Sequence, residues 1–129
     1  LRQLLYGLMR IAEPAREHVD NNFCPVEPLC AERYAKLRDA LETLLRETAD
    51  NLRHDRSEQL LALAMRCKEL RRECQQQAET LAVDLQTKNM NLGAATLLLH
   101  LAQETELLAA ELRELIRGEL SFKNISSML

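Results

Sequence analysis

The spacing of apolar residues between Ser57 and Lys88 is the feature that most restricts the fold. Across this stretch, apolar or small residues recur three and four positions apart, and most residues between them are charged or carry amides. This pattern places one narrow apolar stripe along a long helix. The stripe consists of Leu60, Leu63, Cys67, Leu70, Cys74, Ala78, Leu81 and Leu85. Such a helix is stable when neighbouring helices bury the stripe.

The first segment, residues 1–22, also has helical spacing but contains Pro14. Proline lacks the backbone donor for the preceding turn and clashes with that turn. We therefore expect the first helix to kink near Ala12 or to restart at Glu13.

A second helix is predicted from Pro28 to about Arg53, because proline suits the first turn of a helix. The following HDRSE stretch offers Asp55 or Ser57 as the next N-cap, and Asp55 with Glu58 has the capping-box spacing. So short a link predicts an antiparallel hairpin with the long third helix. The second apolar stripe consists of Tyr34, Leu37, Leu41, Leu44, Thr48 and Leu52.

A fourth helix is predicted from about Ala94 to Arg117, with residues 117–129 forming an irregular tail. The chain has 27 leucines but only three valines and three isoleucines, so the β-branched residues favoured in sheets are scarce. We predict one all-α domain over residues 1–129, an antiparallel up-and-down four-helix bundle. Because the chain begins at Leu1 inside an amphipathic pattern, we expect a domain excised from a longer protein.

Composition excludes some functions. The net charge is −3, aromatic residues make up 3% of the chain, and there is no tryptophan. A nucleic-acid-binding protein would need a basic patch or stacking aromatics, so this class is disfavoured. No apolar run reaches the roughly 18 to 20 residues that span a bilayer. We expect a cytoplasmic domain that meets a membrane only through a parent chain.

The four cysteines leave two interpretations open. Cys67 and Cys74 lie two helical turns apart, too far to form a disulfide with each other. We favour reduced thiols at a helix seam. The alternative is a secreted four-helix ligand in which these cysteines pair with Cys24 and Cys30, and the glycosylation pattern at Asn124 would fit it.

His100 is the candidate for chemistry in the fourth helix. A helical wheel places it on one flank with Glu104, where the two side chains are predicted to form a local hydrogen bond. A metal-binding bundle using this pair is a further alternative. The sequence has no Glu followed three residues later by His, no CxxC pair and no glycine-rich phosphate loop. We assign no catalytic residue, no cofactor and no metal ligand.

The fourth helix has more apolar surface than one stripe needs. Leu99 lies almost opposite Leu101, the centre of the stripe, so the helix is either central in its domain or covered by a partner. The apolar residues of the first helix cover a similarly broad arc. The predicted interaction surface consists of Leu4, Leu8, Met9, Ala95, Leu99 and Ala110. The leading hypothesis is a non-catalytic domain for protein–protein interaction, assembly or regulation, whose partner is another protein, a second copy or a domain of the parent chain.

Three stretches between Leu41 and Leu115 carry a resemblance in layout: NLRHDRSEQLL, RCKELRREC and NLGAATLLLHLAQE. This hairpin resembles the PhoU-like helical domains attached to bacterial sodium/phosphate transporters, and the helical domains of FUSC-type aromatic-acid exporters. The resemblance implies an inner-membrane transporter as the parent protein. It transfers no site residues, because the PhoU metal pattern, an acidic residue with Asp four positions later, does not occur here.

Overall fold

The computed structural model describes residues 1–20, 28–87 and 90–128. In these ranges the chain forms four α-helices and a short 3-10 helix, without a β-strand. The α-helices are α1 (Arg2–Asp20), α2 (Pro28–Arg53), α3 (Leu60–Thr87) and α4 (Leu92–Met128), and the 3-10 helix is Ser57–Gln59. The predicted all-α fold is confirmed.

The helices run up and down the bundle. Glu47 near the end of α2 binds Arg66 near the start of α3. At the opposite end of these two helices, Arg33 Nη1 of α2 lies 3.4 Å from Asp84 Oδ2 of α3. The short link therefore forms the predicted antiparallel hairpin. Helix α4 is antiparallel to both α3 and α1, because its first half lies beside the last part of each of them and its middle lies beside Gln75 and Gly7.

Helix α4 is the central element, because it packs against all three other α-helices. In the described part of the chain, α1 makes an extensive contact with α4 alone. Leu108, Leu112 and Ile116 of α4 are almost completely buried in the main core, where Leu4 of α1 joins them. This central position explains why the sequence of α4 is apolar over so wide an arc.

The predicted stripes lie in the core. In α2, only Leu52 of the predicted stripe is exposed, and Tyr34 is partly buried. In α3, Ala78 and Leu85 are partly buried and the other members are buried. The buried stripe residues of α2 and α3 are Leu37, Leu41, Leu44, Thr48, Leu60, Leu63, Cys67, Leu70, Cys74 and Leu81.

The structure excludes one of the two alternatives at Pro14 and corrects the end of the fourth helix. Helix α1 is continuous through Pro14, so the chain accommodates the proline inside one helix and does not restart at Glu13. Helix α4 continues to Met128, so the prediction of an irregular tail over residues 117–129 is wrong. Leu120, which lies beyond the predicted end at Arg117, packs against the main core, and this packing supports further helical turns.

The capping box predicted at Asp55 is also wrong. Asp55 adopts a left-handed backbone with φ of 56°, and the 3-10 helix has no side-chain cap. The Asp55 carboxylate instead binds Lys123 of α4. At the start of α4, Asn91 is the cap, because its Oδ1 accepts a hydrogen bond from the Ala94 amide at 3.0 Å.

Candidate functional site

The predicted pair of His100 and Glu104 does not form a hydrogen bond. His100 Nε2 lies 3.9 Å from Glu104 Oε1, too far for that interaction. The other carboxylate oxygen of Glu104 accepts a hydrogen bond from Arg10 Nε at 2.8 Å. The prediction failed because Arg10 is 94 residues away in sequence, and a wheel of one helix compares only its own residues.

Arg10 links α1 to α4 through two carboxylates. Besides Glu104, it donates from Nη2 to Glu111 Oε1 at 3.2 Å. Each of the two glutamate side chains is only 17% exposed. The hydrogen bond to Glu104 raises the pKa of Arg10, partial burial acts in the opposite direction, and the charge of Glu111 adds to the increase. Since both carboxylates bind the guanidinium, this cluster is suited to holding α1 in place.

Gly7 allows α1 to approach α4 closely. A β-carbon at this position would lie 2.7 Å from Cδ1 of Leu108 and 3.2 Å from Oε2 of Glu111. Leu108 is fully buried, so it has little freedom to move aside. A glycine inside a helix is usually unfavourable, and that cost is the only sequence signal for the contact.

Cys67 and Cys74 are free thiols in the core, as the favoured interpretation predicts for their position. Burial raises the pKa of Cys67 to about 11 and that of Cys74 to about 12, so both stay protonated and unreactive near neutral pH. Cys24 lies outside the described residues. Among the residues that the structure describes, no three His, Cys, Asp or Glu side chains are grouped so that they could hold a metal ion.

The predicted interaction residues do not form one surface. Leu4 and Ala95 are buried, at 7% and 4% exposure, so placing these two residues on a surface was wrong. Leu4 enters the main core, and Ala95 packs in a second cluster with Cys30 and Leu81. Ala110 is only partly buried.

Leu99 is covered mainly from within the domain. It is partly buried and shares a small cavity with Leu81, Ala82 and Leu85 of α3. Its apolar character is therefore explained by the packing of α3 against α4. The sequence left open whether α4 is central in its domain or covered by a partner. The central position of α4 is sufficient to explain the apolar character of Leu99.

Leu8 and Met9 are exposed, and they belong to a larger apolar side of α1. At about 100° per residue, Leu5, Leu8, Met9 and Ala12 fall within an arc of roughly 100°. The three large side chains are 58%, 44% and 63% exposed, and Ala12 is also exposed. We call these four residues the α1 flank. Arg10 projects from the other side of the helix, toward α4.

Comparison of the chain with known protein families, with curated protein sequences and with solved structures gives no match. In the described part of the chain, no helix combines the length and the apolar character needed to cross a membrane.

Proposed function

We propose that this chain is a non-catalytic helical domain that binds a protein partner, or a second copy of itself, through the α1 flank. The observation that carries the proposal is the joint exposure of Leu5, Leu8 and Met9 on one side of a helix. Contiguous exposed apolar side chains rimmed by polar residues are typical of interaction sites.

The α1 flank is additional to the face that α1 needs for packing. Leu4 and Gly7 are buried against the bundle, and Ile11 packs against the core from the same side. These residues already fix the helix, together with Arg10. The further apolar side leaves large parts of Leu5, Leu8 and Met9 exposed, so it keeps apolar surface in water. Its burial against a partner would stabilise the complex.

The groups most suited to chemistry have other partners or raised pKa values, which supports a non-catalytic role. Glu104 is bound by Arg10, and Cys67 and Cys74 have raised pKa values in the core. These two buried thiols also favour the reducing cytoplasm over the secreted alternative. For the setting, we propose a larger protein of the membrane-transporter class. This part of the proposal rests on the likeness in layout of the hairpin.

The α1 flank can be tested with a paired substitution and a matched control. We expect Leu8→Glu with Met9→Glu to abolish association while the domain stays folded, because both side chains are exposed. Val83→Glu is the control, since Val83 is 56% exposed on α3. The measurements are sedimentation of the purified domain and co-purification of partners from the native host, with circular dichroism to monitor the fold.

Unchanged association of a folded Leu8→Glu/Met9→Glu variant would show that the α1 flank is not the contact. An equal loss of association in the Val83→Glu variant would show that any added negative charge weakens association, and this result would also count against the proposal. The sequence that flanks this domain in its gene tests the proposed setting. Transmembrane segments there would support it, and a signal peptide alone would contradict it.

A further inference from the structure

A second surface lies between the first half of α3 and the last part of α4. The two helices form an open groove of about 510 Å³ there. Its lining includes Leu61, Met65, Lys68, Arg72, Arg113 and Leu120. We call it the basic groove. It is separate from the α1 flank, because α1 packs on a different side of α4 and contributes no residue to this lining.

The α3 wall of the basic groove changes character along its length. Leu61, Met65, Lys68 and Arg72 follow each other at intervals of four, three and four residues, so they share one side of α3. The first two are apolar and the next two are cationic. From Leu61 to Arg72 the helix rises about 16 Å, or roughly three turns.

The α4 wall matches this division because α4 runs antiparallel to α3. The contact of Gln75 with Glu106 sets the register, so Leu120 lies level with the apolar end of the groove and Arg113 with the cationic end. Leu61 and Met65 are 62% and 61% exposed, so the apolar end is open to solvent. The groove thus has one apolar end and one basic end.

Three cations at the basic end have no ion-pair partner in the described part of the chain. No carboxylate there lies within ion-pair distance of Lys68, Arg72 or Arg113. The lining also contains Glu69 and Arg117, and Arg117 is 3.6 Å from Glu114 on its own helix. Counting side chains, the lining has four cations and one carboxylate, a net charge of +3.

This local charge is opposite to that of the whole chain, whose net charge is −3. Most arginines elsewhere are paired with carboxylates. The paired set includes Arg10, Arg33, Arg38, Arg46, Arg56 and Arg66. What distinguishes the groove is that it brings four cations together with one carboxylate, and this concentration of positive charge favours an anionic ligand.

We propose that the basic groove binds an acidic amphipathic helix of a protein partner. Apolar side chains on one face of that helix would pack on Leu61, Met65 and Leu120. Carboxylates at one of its ends would pair with Lys68, Arg72 and Arg113. Two adjacent helices form a natural groove for a third, and about three turns of amphipathic helix match its length. The inference rests on the proposed function, because it assumes an interaction domain.

The probe is a fluorescein-labelled helical peptide of about 16 residues, with leucines at helical spacing and glutamates in its first turn. There are two control peptides. One has the same composition in scrambled order, and the other has lysine in place of each glutamate. The domain variant Arg72→Glu/Arg113→Glu should weaken binding of the acidic peptide by about tenfold or more, because it places like charges opposite the glutamates. Fluorescence anisotropy measures binding, and affinity should fall as salt is raised.

Arg2→Glu/Lys36→Glu is the matched control, since it makes the same change in net charge at exposed cations outside the groove. It should keep the affinity of the wild-type protein. If the groove variant loses helical circular dichroism, Lys68→Gln/Arg72→Gln replaces it, because both side chains are exposed. Loss of binding by the folded groove variant alone would support the proposal.

Several results would overturn it: no binding of the acidic peptide, equal binding of the scrambled peptide, or equal weakening by the two domain variants. Binding of anionic phosphatidylserine vesicles without binding of the peptide would point to a lipid surface instead. If Leu8→Glu/Met9→Glu abolishes association while the groove variant has no effect on any probe, this inference fails and the proposed function stands. If neither variant affects any association, both fail.

Discussion

Arg10 Nε lies 2.8 Å from Glu104 Oε2, and this contact ties the polar side of α1 to α4. The same guanidinium reaches Glu111 at 3.2 Å. Both carboxylates are on α4, one above the other at a spacing of seven residues. The pairing therefore fixes the position of α1 along α4 as well as its rotation.

We expect Arg10→Ala to loosen α1 without unfolding the rest of the bundle. The contacts are partly exposed, so the effect should be a few-fold faster amide exchange confined to α1. Hydrogen–deuterium exchange of α1 peptides compared with α3 peptides measures it. The control is Arg46→Ala, which removes an exposed ion pair within α2. Uniformly faster exchange in all helices would contradict a local role for Arg10.

We expect Gly7→Ala to destabilise the domain although alanine is the better helix former. The new β-carbon would press on buried Leu108, at a net cost of about 1 to 2 kcal/mol in the free energy of unfolding. Gly118→Ala is the control, because a β-carbon there meets no atom within 4 Å. That change should stabilise the domain by up to about 1 kcal/mol. Urea unfolding of both variants gives the comparison, and stabilisation by Gly7→Ala would refute the close approach.

Adjacent leucines of α4 should respond very differently to truncation. Leu108 has no exposed surface, whereas Leu107 is 45% exposed. We expect Leu108→Ala to lower the free energy of unfolding by about 2 to 5 kcal/mol through lost contacts and a new cavity. Leu107→Ala should change it by less than about 0.5 kcal/mol. Urea titration of both proteins measures the difference. Similar values would mean that α4 is rotated from its observed orientation.

We expect stability to decrease in alkaline solution because of the two core thiols. In the unfolded chain they ionise with the ordinary pKa of 9.0, but burial in the folded protein raises the pKa to about 11 for Cys67 and about 12 for Cys74. Their stabilising contribution is therefore complete below pH 9.0 and is lost as pH rises from there toward about 12. Unfolding in urea between pH 7 and pH 11 measures this decline.

The variant Cys67→Ala/Cys74→Ala provides the control for the alkaline effect. It should be less stable at every pH because of lost packing, but its stability should decline less steeply above pH 9.0. Partly buried Tyr34, whose pKa is also raised by burial, contributes in the same direction and remains in both proteins. Equal slopes for the two proteins would show that the thiols do not contribute.

The sequence predicted the helices well because each helix carries its own periodic signal. The bounds of α2 agree with the prediction at both Pro28 and Arg53, where proline and a turn-forming stretch mark the ends. The end of α4 was missed because its last turns have no clear period. They are supported by the packing of Leu120 against the main core, which depends on the other helices.

The candidate site was less predictable, because it depends on residues that are distant in sequence. The partner of Glu104 is on α1, and a wheel of α4 can place only residues of α4, such as His100, beside it. The basic groove had a partial signal in the spacing of Leu61, Met65, Lys68 and Arg72. Its second wall comes from α4, and the spacing within α3 does not show which charges of α4 lie opposite Lys68 and Arg72.

The distance in sequence between α1 and its docking helix has a consequence for synthesis. Arg10 leaves the ribosome 94 residues before Glu104, so the surface that receives α1 is completed last. At typical elongation rates this delay is on the order of 5 to 20 s. The hairpin of α2 and α3 has a short connection and can close during that time. Until α4 emerges, the apolar side chains of α1 are available to chaperones.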